Sequence, residues 1–307
     1  MHKEYENVIY DCNDGIAVLQ LHRPKALNAL NGEINRDIMA AIQEAKADPT
    51  ARVLIVTGSA RAFAAGADLK EMMEVNPRTA KSICQLAKDI NETLENMSIP
   101  TIAVVGGFAF GGGFELALSC DFRVGGSRTM VSFPEAGLGI IPGANGMIRA
   151  CHIVGPSKAK ELAMFCDKIT GAEAYRLGLL NWFVEGDAAL DAAAKEAKKA
   201  VKAAKASGNP EAVEKAKAEA KTTEAAASKA EYDAMMAKAT ELAKRLIAQP
   251  GCALAAVKTV VSDAANINAQ QGKLRETAEF ALLFDTHDQR EGMTAFSEGR
   301  APVYTNN

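Results

Sequence analysis

The strongest constraint on the fold is an alternation that fills the first half of the chain. Short β-rich runs, Val8 to Tyr10, Ile16 to Leu21, Val53 to Thr57, Thr101 to Val105 and Phe122 to Val124, are separated by longer stretches with helical spacing. Ile34 to Ala47 places Ile34, Ile38, Met39, Ile42 and Ala45 on one helical face. Ala80 to Met97 does the same with Ile83, Leu86, Ala87, Ile90 and Leu94. Parallel strands need long crossover connections, and helices serve as those crossovers on the faces of the sheet. The pattern therefore predicts an α/β fold with a largely buried, mainly parallel sheet.

After about Gly155 the strand signals nearly vanish and helical patterns dominate to the end. Within that part, Asp191 to Ala230 is rich in alanine, lysine and glutamate, lacks aromatic residues, and has Val201 and Val213 as its only large apolar side chains. Such a segment cannot build a core. Ser207-Gly208-Asn209-Pro210 supplies a helix stop, an N-cap and a proline suited to a first helical position, so a solvent-exposed αα-hairpin is expected.

Composition narrows the function classes. The 307 residues are 48% hydrophobic and 24% charged with a net charge of -3, the balance of a soluble globular chain long enough for about two domains. No global basic field points to nucleic acid. The opening Met1-His2-Lys3-Glu4-Tyr5-Glu6 has no signal-peptide pattern, and no apolar stretch reaches the length of a membrane span. The six cysteines form no C-x-x-C pair and the four histidines no H-E-x-x-H, so neither zinc site nor disulfide framework is expected, and free thiols fit a reducing cytoplasm.

The most informative stretch is Ile102-Ala103-Val104-Val105-Gly106-Gly107-Phe108-Ala109-Phe110-Gly111-Gly112-Gly113-Phe114-Glu115-Leu116-Ala117. A strand enters five glycines and leaves as a helix. Glycines let the backbone approach a ligand, and a helix N-terminus offers unpaired N–H groups, so an anion or oxyanion site is expected. It is not a P-loop, because no Lys-Ser/Thr follows the glycines. Arg61-Ala62-Phe63-Ala64-Ala65-Gly66-Ala67-Asp68-Leu69-Lys70-Glu71-Met72 is a second strand-to-helix turn, and two such turns can aim two backbone donors at one carbonyl oxygen. Ser132-Phe133-Pro134-Glu135-Ala136-Gly137-Leu138-Gly139-Ile140-Ile141-Pro142-Gly143 brings a second carboxylate, Glu135, after Glu115. Two carboxylates near an oxyanion site suit acid/base chemistry.

Taken together, Leu21 to Leu30, Phe63 to Met72, Gly107 to Ala117 and Phe133 to Gly143 resemble the crotonase superfamily, most nearly its enoyl-CoA hydratases. The resemblance covers about residues 5–185 and 235–303. It implies a crotonase-like spiral of ββα units over residues 1–185, carrying the CoA-thioester site, and a helical C-terminal trimerisation region over 186–307 that contains the hairpin at about 191–230. It also implies hydration of an enoyl-CoA to a 3-hydroxyacyl-CoA, or the reverse. Ala67 and Gly112 correspond to the backbone oxyanion hole and Glu115 and Glu135 to the catalytic glutamates. Arg23, Lys25, Ala65, Asp68, Leu69, Lys70, Met72, Gly111, Phe133, Pro142, Gly143 and Phe296 fall in segments that contact CoA or the acyl group. No metal and no cofactor beyond the substrate's own coenzyme A is implied, and the expected assembly is a homotrimer or dimer of trimers.

The chain departs from the family pattern at Asn145, where a glycine is usual, at Ile148, where a glutamine is usual, and at Gly299, where a lysine commonly precedes what is here Arg300. Phe133 is bulkier than the usual glutamine and is expected to reshape the acyl pocket. Competing readings are another reaction of the superfamily (cyclic enoyl-CoA hydration, isomerisation or thioester hydrolysis) and RNA or partner binding through the hairpin. Residues 191–230 hold nine lysines against five glutamates and one aspartate, but no aromatic side chain for base stacking. The second glutamate, which many isomerases lack, favours hydration.

Overall fold

The computed structural model describes residues 1–306. Its strands are β1 (His2–Glu4), β2 (Val8–Asn13), β3 (Ile16–Leu21), β4 (Val53–Thr57), β5 (Ala62–Ala64), β6 (Thr101–Val105), β7 (Phe108–Phe110), β8 (Phe122–Gly126), β9 (Met130–Ser132), β10 (Ile169–Thr170) and β11 (Trp182–Val184). All five runs read as strands from the sequence lie on strands. The helices expected over 34–47 and 80–97 are Gly32–Ala47 and Pro77–Glu95.

The strands form two sheets. A seven-stranded sheet has the order β1-β2-β3-β4-β6-β8-β11, parallel from β3 onward, and a four-stranded sheet has the order β10-β9-β7-β5 with β5, β7 and β9 parallel. Successive pairs β4–β5, β6–β7 and β8–β9 each give one strand to each sheet before the chain turns into a helix. That repeat is the spiral of ββα units.

Strands β4 and β6 are buried along their whole length, which is why their sequences run apolar rather than alternating. One face of the large sheet packs with the helices Gly32–Ala47, Pro77–Glu95 and Gly112–Leu118 around Leu19, Leu54, Val56, Phe63, Ile90 and Phe114. On the other face, Val53, Ile55, Ile102, Val104 and Val124 meet Met235, Ala239, Leu242 and Ala243. Burying a side chain such as Leu242 contributes about 1.5–3 kcal/mol.

Those last residues belong to the hairpin's second arm. The hairpin forms as Ala188–Ser207 and Pro210–Ile247, with Gly208 left-handed at φ 69 and the Asn209 side chain capping Glu211 and Ala212. The second arm is thus one helix of 38 residues, exposed at its start and packed on the sheet at its end. The segment 191–230 is also less separate than its composition predicts. Arg128, on the β8–β9 turn, donates to Asp191 (2.5 Å), Glu224 (3.2 Å) and the buried Glu231 (2.9 Å), and Ala194 and Ala227 are buried. Small side chains allow the two arms close approach at this base, a contribution that counting large apolar residues overlooks.

The helices Gly251–Ala264, Ala269–Leu283 and His287–Glu298 complete the chain. Lys258 tethers the first of them to the core by donating to the Leu94 and Ile99 carbonyls and pairing with Asp121 at 2.8 Å. All six cysteines are free. Among the described residues no helix is long and apolar enough to cross a membrane.

Candidate active site

The pairing of β5 with β7, Ala62 opposite Phe108 and Ala64 opposite Ala109, carries the two glycine turns side by side as each strand ends. After β5, an isolated parallel bridge joins Leu30 to Ala67: Leu30 N donates to Gly66 O, and Asp68 N donates to Leu30 O. In a parallel ladder this uses the groups flanking Ala67 and turns its own N–H away from Leu30. After β7, Gly111 adopts φ 48 and ψ −125, a conformation closed to L side chains, and the helix Gly112–Leu118 begins. Gly112 is the first helical residue, so its N–H has no intrahelical acceptor. Ala67 and Gly112 both line one cavity of about 750 Å³.

Glu115 and Glu135 line the same cavity. Glu115 sits one turn into the helix and is 3% exposed, and its Oε1 accepts from Ala144 N and Gly146 N, both at 2.8 Å. A Cβ on Gly146 would collide with the Glu115 side chain, so glycine is required there. Burial raises the Glu115 pKa, and the Gly146 and Ala144 N–H groups and the Arg149 charge pull against that rise. Glu135 opens the 3-10 turn Glu135–Leu138, and its buried Oε2 has no hydrogen-bond partner in the protein. Burial, reinforced by the negative charge of Glu115, pushes the Glu135 carboxyl up to about 7. The two carboxylates thus differ: one oxygen of Glu115 is fixed by backbone donors, whereas Glu135 is held near the midpoint of its titration at neutral pH.

Of the other residues singled out in the sequence, Met72, Pro142 and Gly143 line this cavity. Gly111 lies against the Glu135 carboxylate, and any Cβ there would overlap Glu135 Oε1. Arg23 and Asp68 pair at 2.7 Å away from the cavity wall. Arg23 also donates to Ala29 O, and Asp68 caps the helix Leu69–Met73 by accepting from Lys70 N. Ala65 is half-buried and donates to Leu27 O, while Lys25, Leu69 and Lys70 are exposed. Phe133 is a correction. Its ring is 1% exposed and packs at 4.9 Å on Phe114, inside the core rather than on the cavity wall. Phe296 is 89% exposed and does not line the cavity in this single chain. Arg300 pairs with Glu291 and Glu298.

The sequence reading missed the wall supplied by the helix Pro77–Glu95, where Ala80, Ile83, Cys84, Ala87, Lys88 and Asn91 face the cavity. A signal was present: Asn91 interrupts the apolar spacing of Ile83, Ala87, Ile90 and Leu94. The donors Ala144 and Gly146 were also missed, being backbone groups at the end of a loop and at the first position of the helix Gly146–Phe165. Asn145 between them is left-handed at φ 68, which accounts for the family's glycine, since asparagine tolerates that region better than other residues.

The family model for enoyl-CoA hydratase/isomerase matches residues 11–238. A crotonyl-CoA hydratase of Syntrophomonas wolfei is 34% identical over 297 residues, covering 96% of each chain. A short-chain-enoyl-CoA hydratase of Clostridium acetobutylicum is 31% identical over 298 residues, covering 97% of each. Among solved structures, an enoyl-CoA hydratase from Bacillus anthracis superposes with a TM-score of 0.80 at 25% identity, covering 98% of this chain and 100% of that one. With the ββα spiral and both glycine turns in place, the chain belongs to the enoyl-CoA hydratase/isomerase family of the crotonase superfamily.

Proposed function

We propose that the protein adds water across the α,β double bond of an enoyl-CoA thioester, giving a 3-hydroxyacyl-CoA, and catalyses the reverse dehydration. The observation that carries this reading is that two buried carboxylates, Glu115 and Glu135, line one cavity together with Ala67 and Gly112, the residues that follow the two glycine turns. Family membership and the names of the hydratase relatives support the same reaction.

The Ala67 and Gly112 N–H groups hold the thioester carbonyl oxygen as negative charge develops on it, which makes the β-carbon electrophilic. Glu115 takes a proton from water as its oxygen bonds to the β-carbon, and Glu135 delivers a proton to the α-carbon. Burial favours the protonated form of both carboxyls, but at Glu115 the backbone donors and the Arg149 charge pull back toward ionisation, whereas at Glu135 the charge of Glu115 adds to the rise, which fits this division of roles. No electrons are gained or lost overall, so the step needs no electron-carrying cofactor. Lys25, Ala65, Leu69 and Lys70, beside the cavity-lining Met72, are the proposed contacts for the CoA moiety, with Arg23 and Asp68 bracing that segment.

Exposed Phe280, Phe284, Met293 and Phe296 on the C-terminal helices favour a trimer or dimer of trimers. Sedimentation as a monomer would remove that part of the proposal. For the reaction, purified protein assayed against short, long, branched and cyclic enoyl-CoA thioesters should release 3-hydroxyacyl-CoA from at least one class. Isomerised or hydrolysed product alone would replace hydration with another reaction of the superfamily.

A further inference from the structure

The segment that supplies Glu115 with its backbone donors is itself held by side chains, Asn91 from the cavity wall and Arg149 with Glu95 behind it. Ala144 is gripped through both of its backbone polar groups. Its N–H donates to Glu115 Oε1 at 2.8 Å, while its carbonyl accepts from Asn91 Nδ2 at 3.0 Å and Arg149 Nη1 at 3.1 Å. Arg149 is in turn fixed by Glu95, with Nη2 to Oε2 at 2.6 Å and Nε to Oε1 at 3.3 Å. Asn145, the next residue along, donates its side-chain amide to Glu92 at 3.1 Å. One face of the helix Pro77–Glu95 therefore holds the loop that holds Glu115. Asn91, Ala144 and Arg149 are 2%, 3% and 8% exposed, so these bonds are shielded from competing water.

We infer that Asn91 and Arg149 are positioning residues for the proposed hydration: by anchoring the Ala144 carbonyl they aim the Ala144 and Gly146 N–H groups at Glu115 Oε1 and leave the other carboxylate oxygen to handle water. The inference rests on the reading of Glu115 as the base. Its physical content is orientation. A carboxylate on a flexible side chain is restricted once one oxygen accepts two backbone N–H bonds, and those N–H groups are themselves steady only if their loop cannot rock. Arg149 has a second effect, because its charge favours the ionised form of Glu115. The charged and titratable groups around Glu115 are Glu135, Glu71, Cys84 and Lys88 on the cavity wall, and Arg149 with Glu95 behind the Ala144 peptide.

The test compares Asn91→Leu, Arg149→Met and Arg149→Lys with the unaltered protein and with Glu115→Gln, following kcat and KM across pH. Both Asn91→Leu and Arg149→Met should lose about tenfold or more in kcat, and Arg149→Met, at a residue that does not line the cavity, should do so with KM little changed, the pattern of a misplaced catalytic group. In Arg149→Met the limb of the profile that requires ionised Glu115 should move to higher pH, because a positive charge that favoured ionisation is gone. Arg149→Lys keeps a charge and should keep the limb near its original position. Should Arg149→Met fail to fold, Asn91→Leu decides, since it removes one neutral donor. Folded Asn91→Leu with unaltered kcat, while Glu115→Gln is inactive, overturns the positioning role alone. Full activity in Glu115→Gln overturns instead the reading of Glu115 as the base, on which the inference rests.

Discussion

The cavity and the helical hairpin are both rich in charge, yet they use it in opposite ways. In the cavity two carboxylates sit in largely apolar surroundings, each against a glycine whose Cβ would collide with it: Gly146 beside Glu115 and Gly111 beside Glu135. Along the hairpin, Lys199 pairs with Glu196 and Lys217 with Glu214 on solvent-facing surfaces, each pair worth only about 0.2–0.5 kcal/mol. Only at the hairpin's base, where Arg128 meets Glu231, does its charge enter the interior. The difference teaches that burial, not the number of charges, decides what a substitution costs.

The comparison is most severely tested at the cavity. Glu115→Gln and Glu135→Gln should each retain the fold and CoA affinity but lose turnover by at least about a hundredfold, the scale of a positioned acid or base. Near-normal hydration by either variant would remove the two-carboxylate mechanism. Gly111→Ala should approach the Glu135→Gln loss without touching a reactive group, because its Cβ displaces the Glu135 carboxylate from a backbone held at φ 48. Alanine accepted there at full activity would show that the carboxylate has freedom to spare.

At the hairpin's base, Arg128→Met should destabilise the fold by about 3–5 kcal/mol, since it strands the buried Glu231 carboxylate without its cation. Chemical denaturation is the measurement, and an unchanged midpoint would mean that the base is as inconsequential as the exposed arms.

Glu135 gives a smaller effect with a defined pH dependence. Its folded-state pKa of about 7 lies above the ordinary carboxylate value, so between the two the native state binds more proton than the unfolded chain. Stability from this group is complete at acid pH and is lost as pH rises through about 7. Glu135→Gln, which cannot ionise, should therefore be more stable than the unaltered protein at pH 8, by about 1–3 kcal/mol, and no more stable at pH 4. Parallel stability curves for the two proteins across that range would place Glu135 in water rather than in the apolar wall.

Most of the fold was legible because its signals are local. The unbroken apolar runs of β4 and β6 announce strands covered on both faces, and Gly208-Asn209-Pro210 announces the hairpin turn. The site was legible where glycine and carboxylate share a short motif, as in Gly111 to Glu115. It was not legible where the working group is a backbone N–H presented by a loop, as at Ala144, or where chains distant in sequence meet, as Asn91 and Arg149 do at one carbonyl. Phe133 failed for a different reason: adjacency to Pro134-Glu135 suggested the pocket, but strand alternation at the end of β9 turns its ring into the core against Phe114. The base of the hairpin was hidden because alanine was read as the absence of a core, whereas Ala194 and Ala227 are both buried there.

The smallest expected effect lies at the hairpin's far end. Lys198 pairs with Glu224, so residues 202–219 form the part of the two arms beyond that pair, where no residue is buried. Helices there rely on alanine's propensity and on exposed ion pairs, which oppose backbone entropy only weakly. Replacing 202–219 by a short Gly/Ser linker leaves Asp191, Ala194, Glu224 and Ala227 in place around Arg128, and with them the contacts that join the hairpin to the sheet. Turnover and denaturation midpoint should therefore stay within error of the full chain, and amide exchange over 202–219 in the full chain should be fast. Removing all of 191–230 should not be equivalent, because it takes two of the three carboxylates from Arg128. If the short excision alone abolishes assembly or turnover, or if its amides exchange slowly, the far end is held by something other than its own helices, and the contrast between a buried base and an idle tip is wrong.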